Sequence, residues 1–101
     1  VASTFDSLKV AVSVTETTAY TTPTSTKALV IGMSLSNLTG NTIYVDVKAK
    51  GGYLANNVPI PAGSSLNPVA GKLVLNAGET VTAQSDTADS VDLIMSYLEM
   101  T

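Results

Sequence analysis

A chain of 101 residues with a formal net charge of −3 is the size of one domain, with room for a single core and none for a second lobe facing it across a cleft. Charged residues make up only 13% of it against 45% hydrophobic, and its cations are lysines alone, so it lacks the forked arginine donors that read phosphates and guanine edges and nucleic acid is not an expected partner. It has no histidine and no cysteine, which removes the usual general base, the thiolate nucleophile, the nitrogen and sulfur ligands of zinc and any disulfide framework.

Serine and threonine together fill about a quarter of the chain, a mix that suits β-structure better than helix bundles. The start, Val1-Ala2-Ser3-Thr4-Phe5-Asp6, shows no basic run followed by an apolar one. No apolar stretch reaches the length of a membrane span, so the expectation is a soluble protein with no membrane partner.

Leu8, Val10, Val12 and Val14 alternate with Lys9, Ala11, Ser13 and Thr15, the period of a strand covered on one face. The tract Thr15–Thr26 follows, rich in threonine with one proline, and reads as a short edge strand plus a loop, or as an arm lying on a neighbouring subunit. Lys27–Ser36 is a central strand with Leu29, Ile31, Met33 and Leu35 toward the core and Ala28, Val30, Gly32 and Ser34 outward. A turn at Asn37-Leu38-Thr39-Gly40-Asn41 would join it in a hairpin to 42–50, whose Ile43, Val45, Val47 and Ala49 alternate inward.

Gly51-Gly52 breaks that run, a short strand begins at Tyr53, and Pro59 and Pro61 end it because they donate no ladder hydrogen bond. Pro61-Ala62-Gly63-Ser64 is a turn. Leu66–Leu75, interrupted by Pro68 and Gly71, is one bent strand or two short ones. Asn76-Ala77-Gly78-Glu79 turns the chain into Thr80–Ser85, and a last strand puts Val91, Leu93, Met95 and Tyr97 on one face. Seven to eight short strands at even spacing predict an all-β fold, an antiparallel β-sandwich of Ig-like or jelly-roll-like form. The organisation expected is a single domain in which 1–26 forms a first strand and threonine-rich arm or loop and 27–101 the sandwich core.

Few residues offer chemistry. Ser64 and Ser65 sit at an exposed bend, but their only candidate bases are Lys72 or a carboxylate, and a lysine in a wet Gly-Lys bend keeps its proton. No catalytic residue and no cofactor site is assigned, and the chain is not expected to be an enzyme. Asp86, Asp89 and Asp92 could gather oxygen ligands for calcium, although the loop lacks the glycine and distal glutamate of the helix-loop-helix pattern; a solvated turn is the simpler reading and no metal site is assigned. Tyr44 and Tyr53 are the rings that a glycan-binding module would use, single outward tyrosines being more commonly cross-strand packing partners. Asn37-Leu38-Thr39 matches a glycosylation acceptor.

The stretches "KALVIGMSLSN", "IYVDVKAKGGYLANNVPIPAGSSL", "GKLVLNAGETV" and "SVDLIMSYLE", about three-quarters of the chain, resemble small all-β virion proteins of tailed bacteriophages. The resemblance implies a structural role on the particle surface: a capsid decoration or cement protein that bridges subunits of the major capsid protein or another virion protein. A neck or tail accessory protein, or a glycan or host-surface binding module, is the alternative. It also implies a homo-oligomer, such decoration proteins commonly being trimers. Nothing in the resemblance supplies catalytic residues.

Overall fold

The computed structural model describes residues 3–69 and 71–101 and is all-β, with no helix among the described residues. Among the described residues nine strands occur in chain order: β1 (Ser3–Val12), β2 (Thr17–Thr21), β3 (Lys27–Asn37), β4 (Ile43–Ala49), β5 (Gly52–Ile60), β6 (Ser65–Leu66), β7 (Leu73–Leu75), β8 (Thr80–Ser85) and β9 (Val91–Met100). The stretch from Leu66 to Leu75 is therefore two short strands, and both pair with β3.

Pairing is nested. β1 lies against β9, β2 against β8, β3 against β6 and β7, and β4 against β5, each pair antiparallel. Two sheets result, sheet A in the order β1-β9-β3-β6 with β7 also on β3, and sheet B in the order β2-β8-β4-β5. A long hairpin rolled up so that its first and last strands meet gives this order, which is that of a jelly roll. The molecule is elongated, 46 × 21 × 20 Å, because β1, β3 and β9 run ten or eleven residues along its long axis.

The expected hairpin at Asn37–Asn41 does not exist: β3 belongs to sheet A and β4 to sheet B, so this turn crosses between the layers. The hairpin is formed instead by β4 and β5. Ala49 pairs with Gly52 across a two-residue loop in which Lys50 and Gly51 both have positive φ, 59° and 80°, the mirror-image turn whose twist matches that of its strands.

Strand β3 also departs from strict alternation. Val30 pairs with Tyr97 and Gly32 with the preceding residue of β9, Ser96, leaving Ile31 as the extra residue of a β-bulge. The core side is thus Ala28 and Val30 before the bulge and Met33 and Leu35 after it, while Leu29 is half-buried and Ile31 exposed. Val14 is exposed for a simpler reason, since β1 ends at Val12. The other alternations hold: Ile43, Val45, Val47 and Ala49 are buried, as are Val91, Leu93 and Met95, with Tyr97 half-buried. Leu35, Ile43, Ile60, Leu75, Leu93 and Met95 are the largest fully buried side chains, each worth about 1.5–3 kcal/mol of transfer from water.

Candidate assembly surface

The serines and aspartates singled out for conceivable chemistry lie in the turns and strands of the fold. Ser64 donates its N–H to Pro61 O (3.0 Å) and accepts from Asn37 N–H (2.9 Å), with Gly63 at φ 71° as the turn requires; Ser65 is in β6, opposite Ser36. Ser64, Ser65 and Lys72 are all exposed. Asp86 accepts from the N–H of Tyr44 (3.1 Å) and the hydroxyl of Thr87 (3.0 Å), Asp89 lies in the turn at φ 54°, and Asp92 is in β9. Among the described residues no three potential metal ligands converge.

Tyr44 and Tyr53 share the outer face of sheet B without forming one platform. Tyr44 is opposite Pro59 and Tyr53 opposite Lys48, four residues further along β4, or about 13 Å. The Lys48 ammonium sits 4.9 Å from the centre of the Tyr53 ring and 3.5 Å from Glu16. Glu16, first among its neighbours, and the Tyr53 ring hold the lysine pKa above its ordinary value. Tyr53 is a cross-strand packing partner, on a face that also carries Asp46, Thr82 and Gln84.

Asn37 is 5% exposed, and its side chain is consumed by the crossing between the sheets. Its amide nitrogen donates to Asn41 O (2.7 Å), Ile60 O (2.9 Å) and Pro61 O (3.2 Å), while its oxygen accepts from the N–H and hydroxyl of Thr39, both at 2.8 Å. That nitrogen is not presented to solvent as a glycan acceptor.

The outer face of sheet A is different in kind. Its register aligns Phe5, Leu98, Leu29 and Val74 in one row across four strands. Phe5 is 73% exposed and Val74 45%. A row of small residues, Ser7, Ser96 and Gly32, lies beside it, and beyond that Lys9, Ile94 and Ser34, with Ile94 50% exposed. Ile31, pushed out by the bulge, adds a further exposed apolar side chain. Lys9 is the charge in these three rows; Asp92 and Lys27 lie in the rows at the two ends of the face, Ala11-Asp92-Ser36 and Ser3-Met100-Lys27. An apolar ridge beside a shallow serine and glycine trough gives a face relief for shape complementarity while leaving little charge to desolvate.

Sequence reasoning missed one polar contact that closes the sandwich at this end. A bulge at Ala19 in β2 turns Tyr20 inward, where it is 8% exposed and donates its hydroxyl to Glu99 (2.5 Å). Its ring lies 4.7 Å from that of Tyr97. Burial, then the hydrogen bond to Glu99 and its charge, raise the Tyr20 phenol pKa well above the usual range. Strict alternation from Thr18 would have sent Tyr20 to solvent, so only the bulge reveals the contact.

No protein-family model and no curated protein matches the chain. Among solved structures, a chain of the Bacillus endospore appendages, described as a novel family of disulfide-linked pili, is similar with a TM-score of 0.57 at 14% identity, over 99% of this chain and 87% of that one. Two structures of a pentameric capsid protein isolated from metagenomic phage sequences are similar at TM-scores of 0.38 and 0.34 and identities of 24% and 21%. This chain is covered to 96% in both and spans 61% and 62% of their length. At these identities the pilus likeness concerns the fold alone.

Proposed function

We propose that this chain is a non-enzymatic structural subunit of a virion, seated on the capsid as a decoration or cement protein that bridges capsid subunits through the outer face of sheet A. The observation that carries the proposal is the gathering of Phe5, Ile31, Val74 and Ile94 on that face, while the outer face of sheet B sets Tyr44 and Tyr53 among Asp46, Lys48, Thr82 and Gln84. Three strands about 4.8 Å apart and about ten residues long, flanked by the short β6 and β7, present roughly 500 Å². That is below the ~800 Å² per partner of a standard interface, a size suited to a contact that is repeated many times.

The endospore appendage is described as disulfide-linked, whereas this chain has no cysteine. Its attachment to neighbours therefore rests on area and shape. Contacts of modest strength suffice where they repeat over a shell, since each subunit bound to two neighbours gains from the second at high effective concentration. The phage resemblance of the sequence favours a capsid over other lattices, with the capsid protein as the partner and the particle surface as the location.

Lysine at both Ile94 and Val74 tests this. Both positions are exposed, so the double variant is expected to keep its thermal midpoint, while two unpaired ammonium groups in the buried interface lower co-sedimentation with expanded capsids at least tenfold. Undiminished co-sedimentation would remove this face from the model. Copies per particle on the order of hundreds would place the subunit on the shell, and about a dozen at the neck or tail.

A further inference from the structure

Three of the four sheet edges are blunted in ways that discourage pairing with another chain. β2 carries its bulge at Ala19 and runs toward Pro23. β5 has two register breaks, a positive φ at Asn57 and Pro59 within it, and the edge formed by β6 and β7 offers strands of two and three residues. The β1 edge is long and regular instead: ten residues pair with β9 without a break, from Ser3 opposite Met100 to Val12 opposite Val91, and include no proline. Ser3 through Ser7 are all exposed, so this length of extended backbone is held by pairing to β9 alone among the described strands.

The alternation of its backbone groups can be read directly. Ser7 N–H is taken by the Asp6 carboxylate (2.8 Å), and Ser13 C=O accepts from Ser85 in sheet B (3.0 Å), so odd-numbered residues direct their backbone away from β9. Ser3, Phe5, Ser7, Lys9 and Ala11 therefore offer their N–H and C=O groups along the open edge.

We propose that β1 is an interface between two copies of this chain, paired antiparallel about a two-fold axis at Ser7, so that two copies of sheet A become one continuous sheet. The inference rests on the reading of the chain as an assembly subunit and names its first partner. Opposed residues in such a pair lie on the same face, so their numbers sum to an even value, and few registers remain. Centring on Asp6 or Lys9 sets like charges against each other. Centring on Leu8 leaves Ser3 unpaired.

Centring on Ser7 engages all five open residues, about ten ladder hydrogen bonds in total. It also places Phe5 opposite Lys9 of the partner subunit, twice by symmetry, and both are outer-face residues. The molecule already makes this kind of cross-strand pair, with Lys48 over Tyr53. One group competes for the edge, the Asp6 carboxylate on Ser7 N–H, and that exposed local bond is released when the N–H meets a carbonyl of the partner.

Because the chain has no cysteine, Ser7→Cys is a clean reporter: opposed Cα atoms of a hydrogen-bonded pair lie about 5.5 Å apart, within disulfide reach. On mild oxidation most of the protein is expected to run as a covalent dimer, whereas Thr18→Cys on the β2 edge stays a monomer. Ser7→Pro deletes an N–H that points away from β9 and spares the internal ladder, so the variant is expected to fold and to self-associate at least tenfold more weakly in sedimentation velocity. The same measurement separates a two-fold dimer from the trimer implied by the phage resemblance. Equal cross-linking of the two cysteine variants, with Ser7→Pro associating as strongly as wild type, overturns the β1 pairing and leaves capsid binding as a separate result. Wild type that is monomeric at every concentration and joins no capsid overturns both.

Discussion

Asn37→Ala is expected to lose about 3 kcal/mol of stability, a fall in Tm on the order of 15 °C for a chain of this size. The residue stands where β3 leaves sheet A and the chain crosses to sheet B, and its side chain ties three carbonyls and both donor groups of Thr39 into one knot. Alanine removes the donor and leaves the buried carbonyl of Ile60 short of it, while the part-buried carbonyls of Asn41 and Pro61 lose the same partner, so the cost includes that of an unsatisfied buried group and exceeds the net value of the bonds themselves. Asn37→Asp is expected to be worse at neutral pH, since a carboxylate facing three carbonyl oxygens keeps the shape and reverses the polarity. Thermal unfolding followed by circular dichroism measures both, with Leu38→Ala as the exposed neighbour that should change little. An Asn37→Ala midpoint within about 3 °C of wild type would show that the knot contributes only local order.

Asn37 also marks where the sequence stopped being legible. Its residues Asn-Leu-Thr-Gly-Asn look like a hairpin turn, and hairpins join adjacent strands of one sheet; whether a turn instead crosses between layers depends on which strands the rest of the chain offers as partners, and that information is not local. The periodic strands were readable because one face of each is buried, so the period of 2 imposes itself on Ile43, Val45, Val47 and Ala49 or on Val91, Leu93 and Met95.

Bulges defeat that rule by one residue. The one at Ile31 reversed the faces assigned to Leu29 and Ile31, and the one at Ala19 hid the inward turn of Tyr20. The candidate surface was legible only in part for the same reason. The near-absence of charge along β3 is plain in the sequence, but the row Phe5, Leu98, Leu29 and Val74 arises from register among four strands distant in sequence.

Tyr20→Phe is the second large effect expected, and it has a signature in pH. The phenol reaches from sheet B to Glu99 on the last strand of sheet A, and phenylalanine keeps the ring against Tyr97 while leaving the half-buried carboxylate without this donor, at a cost of about 1–2 kcal/mol near neutrality. A tyrosine in the unfolded chain ionises around pH 10.0, whereas Tyr20 in the folded protein holds its proton to higher pH because burial and Glu99 both disfavour the phenolate. The stability it contributes is therefore complete below pH 10 and is lost as pH rises through the folded value, the unfolded state being the one that releases the proton first. Tyr97, raised by burial and then by Asp6 and Glu99, adds a contribution of the same sign. Denaturant unfolding measured from pH 8 to pH 11 should thus show wild-type stability falling above pH 10, and Tyr20→Phe, already weaker at pH 8, falling less steeply. Parallel curves for the two proteins would mean that the Tyr20 proton is lost as readily in the folded chain as in the unfolded one, and the hydroxyl would then have no part in holding the two sheets together.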